Sequence, residues 1–470
     1  MISSHSKRSA SKARRAAILV LAAFMMIVAF CFAALAIDLG VLALASNQFQ
    51  NAADAAALAG AAELVPDAQP PFPLKSPLAV GVNMPPVLAL NLGLDLSTSL
   101  SVLGLNVQVI QPQVLADNSA AAICSARDVA GKNRCLQISS LQSIDGDVQA
   151  FYRAETSNPP PLIPMPGIDP LLGALILNSN ADTRPNAARV TLRSDATGNS
   201  LLPLYFAPML GVKSVKTHQS AAAMISHGYS AVDGAKILPI AMDITIWRAL
   251  RLGNGVFNGL PIANELLRQN GAPVVLVDEQ RWDASSRTVT RGSDGIWEAL
   301  LITDPLGNLS IPGLPLGLST AQQAAATVVT LRITPNQTDL QLQQQVRTGL
   351  DSSLLTTSSL MLPFQLPGEK SIPASVLTEI EKTIGQPRVI PLFATLSGTV
   401  GNTLNQLLNR PQNYQIVGWG GCVITEVRRT GLLTTLKLQP APYSSSLMRT
   451  KQSGNQAYSD LVFTGPRLVE

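Results

Sequence analysis

The sequence predicts an α+β protein: one long N-terminal helix, followed by a largely β-rich region. Three observations lead there. Residues Ala16–Ile37 form an uncharged run of Ala, Leu, Met, Phe and Ile, long enough to cross a hydrocarbon core that needs about 20 residues. No proline interrupts the pattern from there to Pro66, so the helix is expected to continue far beyond the bilayer. After residue 86, short alternating apolar runs separated by Gly and Pro dominate, which is the pattern of strands and turns.

Composition narrows the class. The chain has 470 residues, 46% apolar but only 4% aromatic, with 33 Gly and 33 Pro. A Leu/Val/Ala-rich, loop-rich extracytoplasmic protein fits this balance better than a compact cytosolic enzyme does. The formal charge of +4 is segregated: Lys7, Arg8, Lys12, Arg14 and Arg15 precede the apolar run, and all 30 acidic residues follow it. The rest of the chain is therefore close to neutral, with no basic footprint for nucleic acid. Basic flanks stay inside, so residues 1–15 are expected in the cytoplasm and residues 38–470 outside it. Ala34-Leu35-Ala36 has the small-x-small form of a signal-peptide cleavage site. The apolar run is longer than a signal core of about 7–15 residues, which predicts a retained anchor.

Taken in order, the elements are a basic tail (1–15), a transmembrane helix (16–37) and an Ala-rich helix (38–65). A linker with seven prolines (66–86), an α+β region (87–235), a C-terminal α+β module (236–450) and a tail (451–470) follow. Along the helix, Leu35, Leu39, Leu42, Ser46, Phe49, Ala53, Ala56 and Gly60 step by four and three, giving one apolar seam. Ala52, Ala56 and Gly60 form a small-residue ridge that lets a second helix backbone come close. This face suits either the protein's own exported region or a partner helix. Asp38 falls at the outer membrane surface and is expected to be solvated there.

The residues Ile37-Asp38-Leu39-Gly40, then Gln50-Asn51-Ala52-Ala53-Asp54-Ala55-Ala56-Ala57-Leu58-Ala59-Gly60-Ala61, carry the sharpest signal. The segment resembles the N-terminal signature of TadE/TadG-like proteins of Flp (tight-adherence) pilus assembly. No glycine precedes the apolar run and no Glu opens it. The pilin-type peptidase site is thus missing, which favours the anchored, TadG-like side. The resemblance implies a non-enzymatic component of the bacterial inner membrane, with no cofactor. Its implied partners are TadE-like or TadF-like proteins, or a second copy, met through the face Phe49, Ala52, Ala53, Ala56 and Gly60. The order NAARVTL, then YFAPMLGVKSVKTHQSAAAMI, is similar to the central, packed periplasmic part of TadG-like proteins. The series IEKTIGQPRVIPLF, YQIVGWGGCVI and LKLQPAP more loosely resembles the C-terminal module of some of them.

Later elements follow from pattern. Leu88–Leu96 and Leu103–Val109 alternate and predict a hairpin. Asp95, Ser97 and Ser99 match D-x-S-x-S, which resembles the metal-dependent adhesion site of von Willebrand A domains. Period-two alternation on one strand face explains the triplet equally simply, so no metal site is assigned. A metal-dependent adhesin and an unrecognised envelope hydrolase are the alternatives from other classes. Cys124 and Cys135 flank the segment Ser125–Arg134, expected as a polar loop, and are read as either a disulfide or two thiols. Strands are expected over Ala187–Leu192, Pro273–Val277, Trp297–Ile302, Arg388–Phe393, Tyr414–Val423 and Thr434–Leu438. Helices are expected over Asn264–Asn270, Gln341–Leu350 and Pro373–Ile384, with one around Trp247. His218 and His227 lack partners at metal-ligand spacing, and the acids are dispersed. No nucleotide loop or nucleophile elbow is present, so no catalytic residue is assigned.

Overall fold

The computed structural model describes residues 6–65, 78–80, 104–107, 118–136, 138, 140–143, 146–153, 185–195, 197–252, 256–257, 260–261, 275–303, 328–354, 360–369, 372–394, 412–430, 433–450 and 458–469. Five α-helices are used below: α1 (Ser6–Glu63), α2 (Ser119–Lys132), α3 (Ile244–Leu252), α4 (Asp339–Thr348) and α5 (Ala374–Glu381). At about 1.5 Å per residue, α1 is a rod of roughly 87 Å. It is long and apolar enough to cross a membrane, and helix and strand content together make the protein α+β, as expected.

The outer half of α1 does not stand free. It lies on a four-stranded antiparallel sheet, ordered Arg467–Val469, Thr217–Met224, Ala187–Ser194, Val148–Phe151. α2 packs beside it on the same unit. Strand alternation explains the inward face: Ala188, Val190 and Leu192 point into the core with Ala221 and Ala223. The segment Ser125–Arg134, expected as a polar loop, is mostly helix α2. Its buried side is Ala122, Ala126 and Ala130 at i, i+4 and i+8. Cys124 is an exposed thiol on this helix and Cys135 a buried one after it, so the pair is not bridged.

A second, larger unit is built on a nine-stranded sheet. Gln412–Thr430 is its spine. It pairs with Phe364–Glu369 and Arg388–Ala394 along its first half and with Leu433–Pro440 along its second. Val328–Leu331 and Ile240–Asp243 complete a ring that returns to Arg388–Ala394 through the parallel pair Leu392–Met242. Glu298–Thr303 and Val275–Val277 extend the open side. The spine runs past its expected span, Tyr414–Val423, because its second half pairs with Leu433–Pro440, and within it Gly420 and Gly421 leave room for neighbours. A Cβ on Gly420 would lie 2.9 Å from the Trp247 ring, and one on Gly421 would lie 2.2 Å from the Leu461 carbonyl.

α4 starts with a capping box. Thr338 Oγ1 accepts from the Gln341 backbone N–H, and Gln341 Oε1 accepts from that of Thr338. Arg347 joins it to α5 through two bonds to Glu379, at 2.8 and 2.6 Å. α5 ends at Glu381 with Lys382 as its C-cap, and the turn that follows closes on Gly385, whose φ of +78° suits a glycine.

Several expectations resolve differently. The stretch expected as a tail, 451–470, contains the strands Tyr458–Asp460, Val462–Thr464 and Arg467–Val469, and the last completes the sheet under α1. Leu78–Val80, inside the expected proline-rich linker, pairs with Gly104–Val107. The partner expected for that second segment, Leu88–Leu96, lies outside the described residues, as do Asp95, Ser97, Ser99 and Asn264–Asn270.

Candidate functional site

The residues singled out by sequence converge on one place, the junction of α1 with the unit it rests on. Ala45, Phe49, Ala52, Ala53, Ala56, Ala57, Ala61 and Leu64 share one core with Ala122, Ala126, Ala130, Val190 and Leu192. Phe49, Ala53 and Ala56 are fully buried, Ala52 is 1% exposed, and Gly60 is buried. Alanine and glycine are needed here because backbones meet. A Cβ on Gly60 would lie 3.1 Å from the Ala122 carbonyl oxygen and from the Cβ atoms of Ala126 and Ala188. The face Phe49, Ala52, Ala53, Ala56 and Gly60 is therefore a packing surface, but its partner is the chain's own α2 and sheet. Of the two occupants expected for this face, the structure shows the chain's own α2 and sheet.

The polar positions on α1 tie it to the same unit. Ser46 Oγ accepts from Gln219 Nε2 at 2.7 Å, and Gln48 Oε1 accepts from the Leu136 N–H at 2.9 Å. Asn118, just before α2, donates to the Val65 carbonyl at 2.9 Å, fixing the far end. The buried Cys135 thiol lies 3.7 Å from the Ala45 carbonyl, and burial pushes its pKa up. An unreactive, buried thiol follows from that environment.

Asp38 departs most from expectation. Its side chain is only 5% exposed. Its carboxylate accepts from three consecutive backbone N–H groups: Tyr205 at 2.8 Å, Phe206 at 3.1 Å and Ala207 at 2.6 Å. These donors open the 3₁₀ turn Ala207–Leu210, so Asp38 caps that turn from another element. Its partners lie 167 to 169 residues away, which is why sequence spacing could not reveal them.

A second polar cluster lies on the large sheet. Lys437 Nζ sits 2.6 Å from both Glu279 and Glu426. Beside it, Glu298 is fully buried. Burial lifts its carboxyl to about 7, against the pull of Thr425, the Glu279 backbone N–H and the Lys437 charge. In the unfolded chain this group titrates near 4.5. Between those values the folded chain holds a proton that the unfolded chain has lost, so stability falls as pH rises through the window. We expect a loss of roughly 3 kcal/mol, reached above the folded value. Denaturant titrations of wild type and Glu298→Gln at pH 4.5 and pH 8 measure it. The variant should lose less stability between the two, and identical losses would exclude Glu298 as the source.

The histidines stand apart. His218 is exposed on its strand, and the His227 ring lies 5.2 Å from that of Phe463. Among the described residues, no group of three His, Cys, Asp or Glu side chains is placed to hold a metal ion.

A helix long and apolar enough to cross a membrane, whose second half forms the core of a small sheet unit, defines the class: a candidate membrane helix built into the body that follows it. Two family models match parts of the chain. Residues 16–63 match the family described as "Putative Flp pilus-assembly TadE/G-like", and residues 109–223 match "Putative Tad-like Flp pilus-assembly". The resemblance to TadE/TadG-like proteins is thereby borne out, and the chain is tied to Flp pilus assembly. The two matched segments are halves of one core, since the first supplies α1 and the second supplies α2 and three of the four sheet strands. Neither match reaches the C-terminal module. No curated protein and no solved structure matches the chain.

Proposed function

We propose that the protein is a non-enzymatic, single-pass component of Flp pilus assembly in the bacterial inner membrane. Residues 16–37 span the bilayer, residues 1–15 face the cytoplasm and residues 38–470 lie outside. The observation that carries this reading is the continuity of α1, which runs from the apolar span into the core of the exported unit without a break. A helix joined this way does not act as a flexible tether. Any displacement of the span reaches the sheet, because moving α1 disturbs a close-packed core. The filled face around Gly60 leaves two routes to TadE-like or TadF-like partners: the span inside the bilayer and the outer surface of the exported body. We also divide the exported part near residue 226, between the unit on α1 and the larger sheet unit, with the strand Arg467–Val469 belonging to the first.

The test is genetic and topological. Deleting the coding sequence from a host that makes Flp pili should abolish or sharply reduce pili, and the full chain should restore them. A periplasm-dependent reporter fused after Leu64 should be active. Normal piliation without the protein, or an inactive reporter, would overturn the reading.

A further inference from the structure

Asp38 holds a hairpin whose tip is apolar and exposed. Leu202–Pro203 pairs with Ser214–Val215, and the connection carries the capped turn Ala207–Leu210. Tyr205, Phe206, Met209 and Val212 are 60%, 38%, 87% and 49% exposed. Large apolar side chains displayed together on a capped turn call for a covering surface. Their position suggests which one. The clamp fixes the turn beside residue 38, the first residue past the uncharged run. On α1 itself, Leu35, Ile37 and Leu39 are exposed at the same level. Lys213 and Lys216, both exposed, follow the turn. An aromatic and apolar tip with cations behind it matches the lipid–water boundary, where amphipathic rings settle and lysines meet anionic headgroups.

We propose that the hairpin 202–215 is a second membrane contact, a foot whose tip lies in the outer leaflet boundary beside α1, on anionic phospholipid. The inference rests on reading residues 16–37 as the span. The buried Asp38 carboxylate is the positioning residue. By saturating three N–H groups it lets a backbone turn approach lipid without leaving those donors bare. Two contacts, rod and foot, set the tilt of the exported body, which one helix alone leaves loose.

The test uses the full chain with Cys31→Ser and Cys124→Ser, reconstituted in phosphatidylcholine–phosphatidylglycerol vesicles. A nitroxide is placed in turn at Leu35→Cys, Met209→Cys or Arg287→Cys. Accessibility to oxygen relative to a water-soluble nickel complex reports depth. The ratio at Met209 should exceed that at Arg287 several-fold and approach that at Leu35. Adding Asp38→Ala should lower the Met209 ratio toward the Arg287 value and leave Leu35 unchanged. An aqueous Met209 with a lipid-exposed Leu35 overturns the foot alone, whereas an aqueous Leu35 overturns the span beneath it. A Met209 label shielded from both reagents would mean a protein covers the tip, which also overturns the proposal. An unchanged Met209 ratio in Asp38→Ala would refute the clamp.

Discussion

Gly60→Leu is expected to undock α1 from its sheet. The first carbon of any side chain there already lies 3.1 Å from a backbone oxygen of α2 and from two alanine Cβ atoms. The oxygen belongs to the main chain, so a rotamer change cannot relieve the contact. The rest of the leucine has to enter a core in which Ala57 and Ala61 beside it are fully buried. Ordinary overpacking costs about 1–3 kcal/mol, and a helix forced from its seat also loses neighbouring contacts, so the effect should lie at or above the top of that range. Asn51→Leu is the control, since Asn51 is exposed on the same helix. Thermal unfolding and limited proteolysis of the detergent-solubilised full chain compare the two. Equal midpoints and equal protease resistance would show that the face is not packed as described. A partner-binding face would behave differently: Gly60→Leu would then impair association while leaving the isolated protein as stable as the control.

Trp247→Ala should cost the larger unit about 3–5 kcal/mol, the range for truncating a buried aromatic. Trp247 is fully buried on α3. Its ring fills the space left by Gly420, and its Nε1 donates to Asp460 at 2.9 Å. Arg251, one turn on, shares the same carboxylate at 2.8 Å. Truncation thus opens a cavity and removes one of these two side-chain bonds between α3 and Asp460, in the strand that pairs with the spine. Trp247→Phe separates the effects, because it restores most of the volume and not the hydrogen bond. Its loss should be clearly smaller than that of Trp247→Ala, and equal losses would place the stabilisation in the hydrogen bond instead of the packing. Denaturant unfolding followed by the fluorescence of the remaining tryptophans provides the comparison.

How much of this was legible in the sequence depended on the range of the interactions. α1 and its small-residue face announced themselves because helical periodicity is local, and so did most of α4 and the strands Arg388–Ala394 and Leu433–Pro440. α2 was passed over because its buried side is alanine alone. Ala122, Ala126 and Ala130 give little hydropathy contrast with exposed neighbours, and the flanking cysteines suggested a loop instead. The identity of the surface opposite Phe49–Gly60 was open for another reason. Small residues state that something comes close, not what it is, and the answer lay in segments about 60 to 170 positions away. Asp38 illustrates the same limit. A carboxylate at a membrane edge reads as solvated until a distant turn supplies its donors. The apolar hairpin tip was equally hidden, because exposure is a property of the fold.

The strand Arg467–Val469 adds a consequence for how the molecule is made. It pairs with Ala222–Met224, so the sheet that seats α1 is finished by residues 243 to 247 positions later in the chain. Such distant closure makes assembly slow, because the intervening chain has to be ordered first. Until those last residues are in place, the alanine-rich edge at Ala222–Met224 stays open to stray pairing. Protection of that edge before closure therefore favours folding over aggregation.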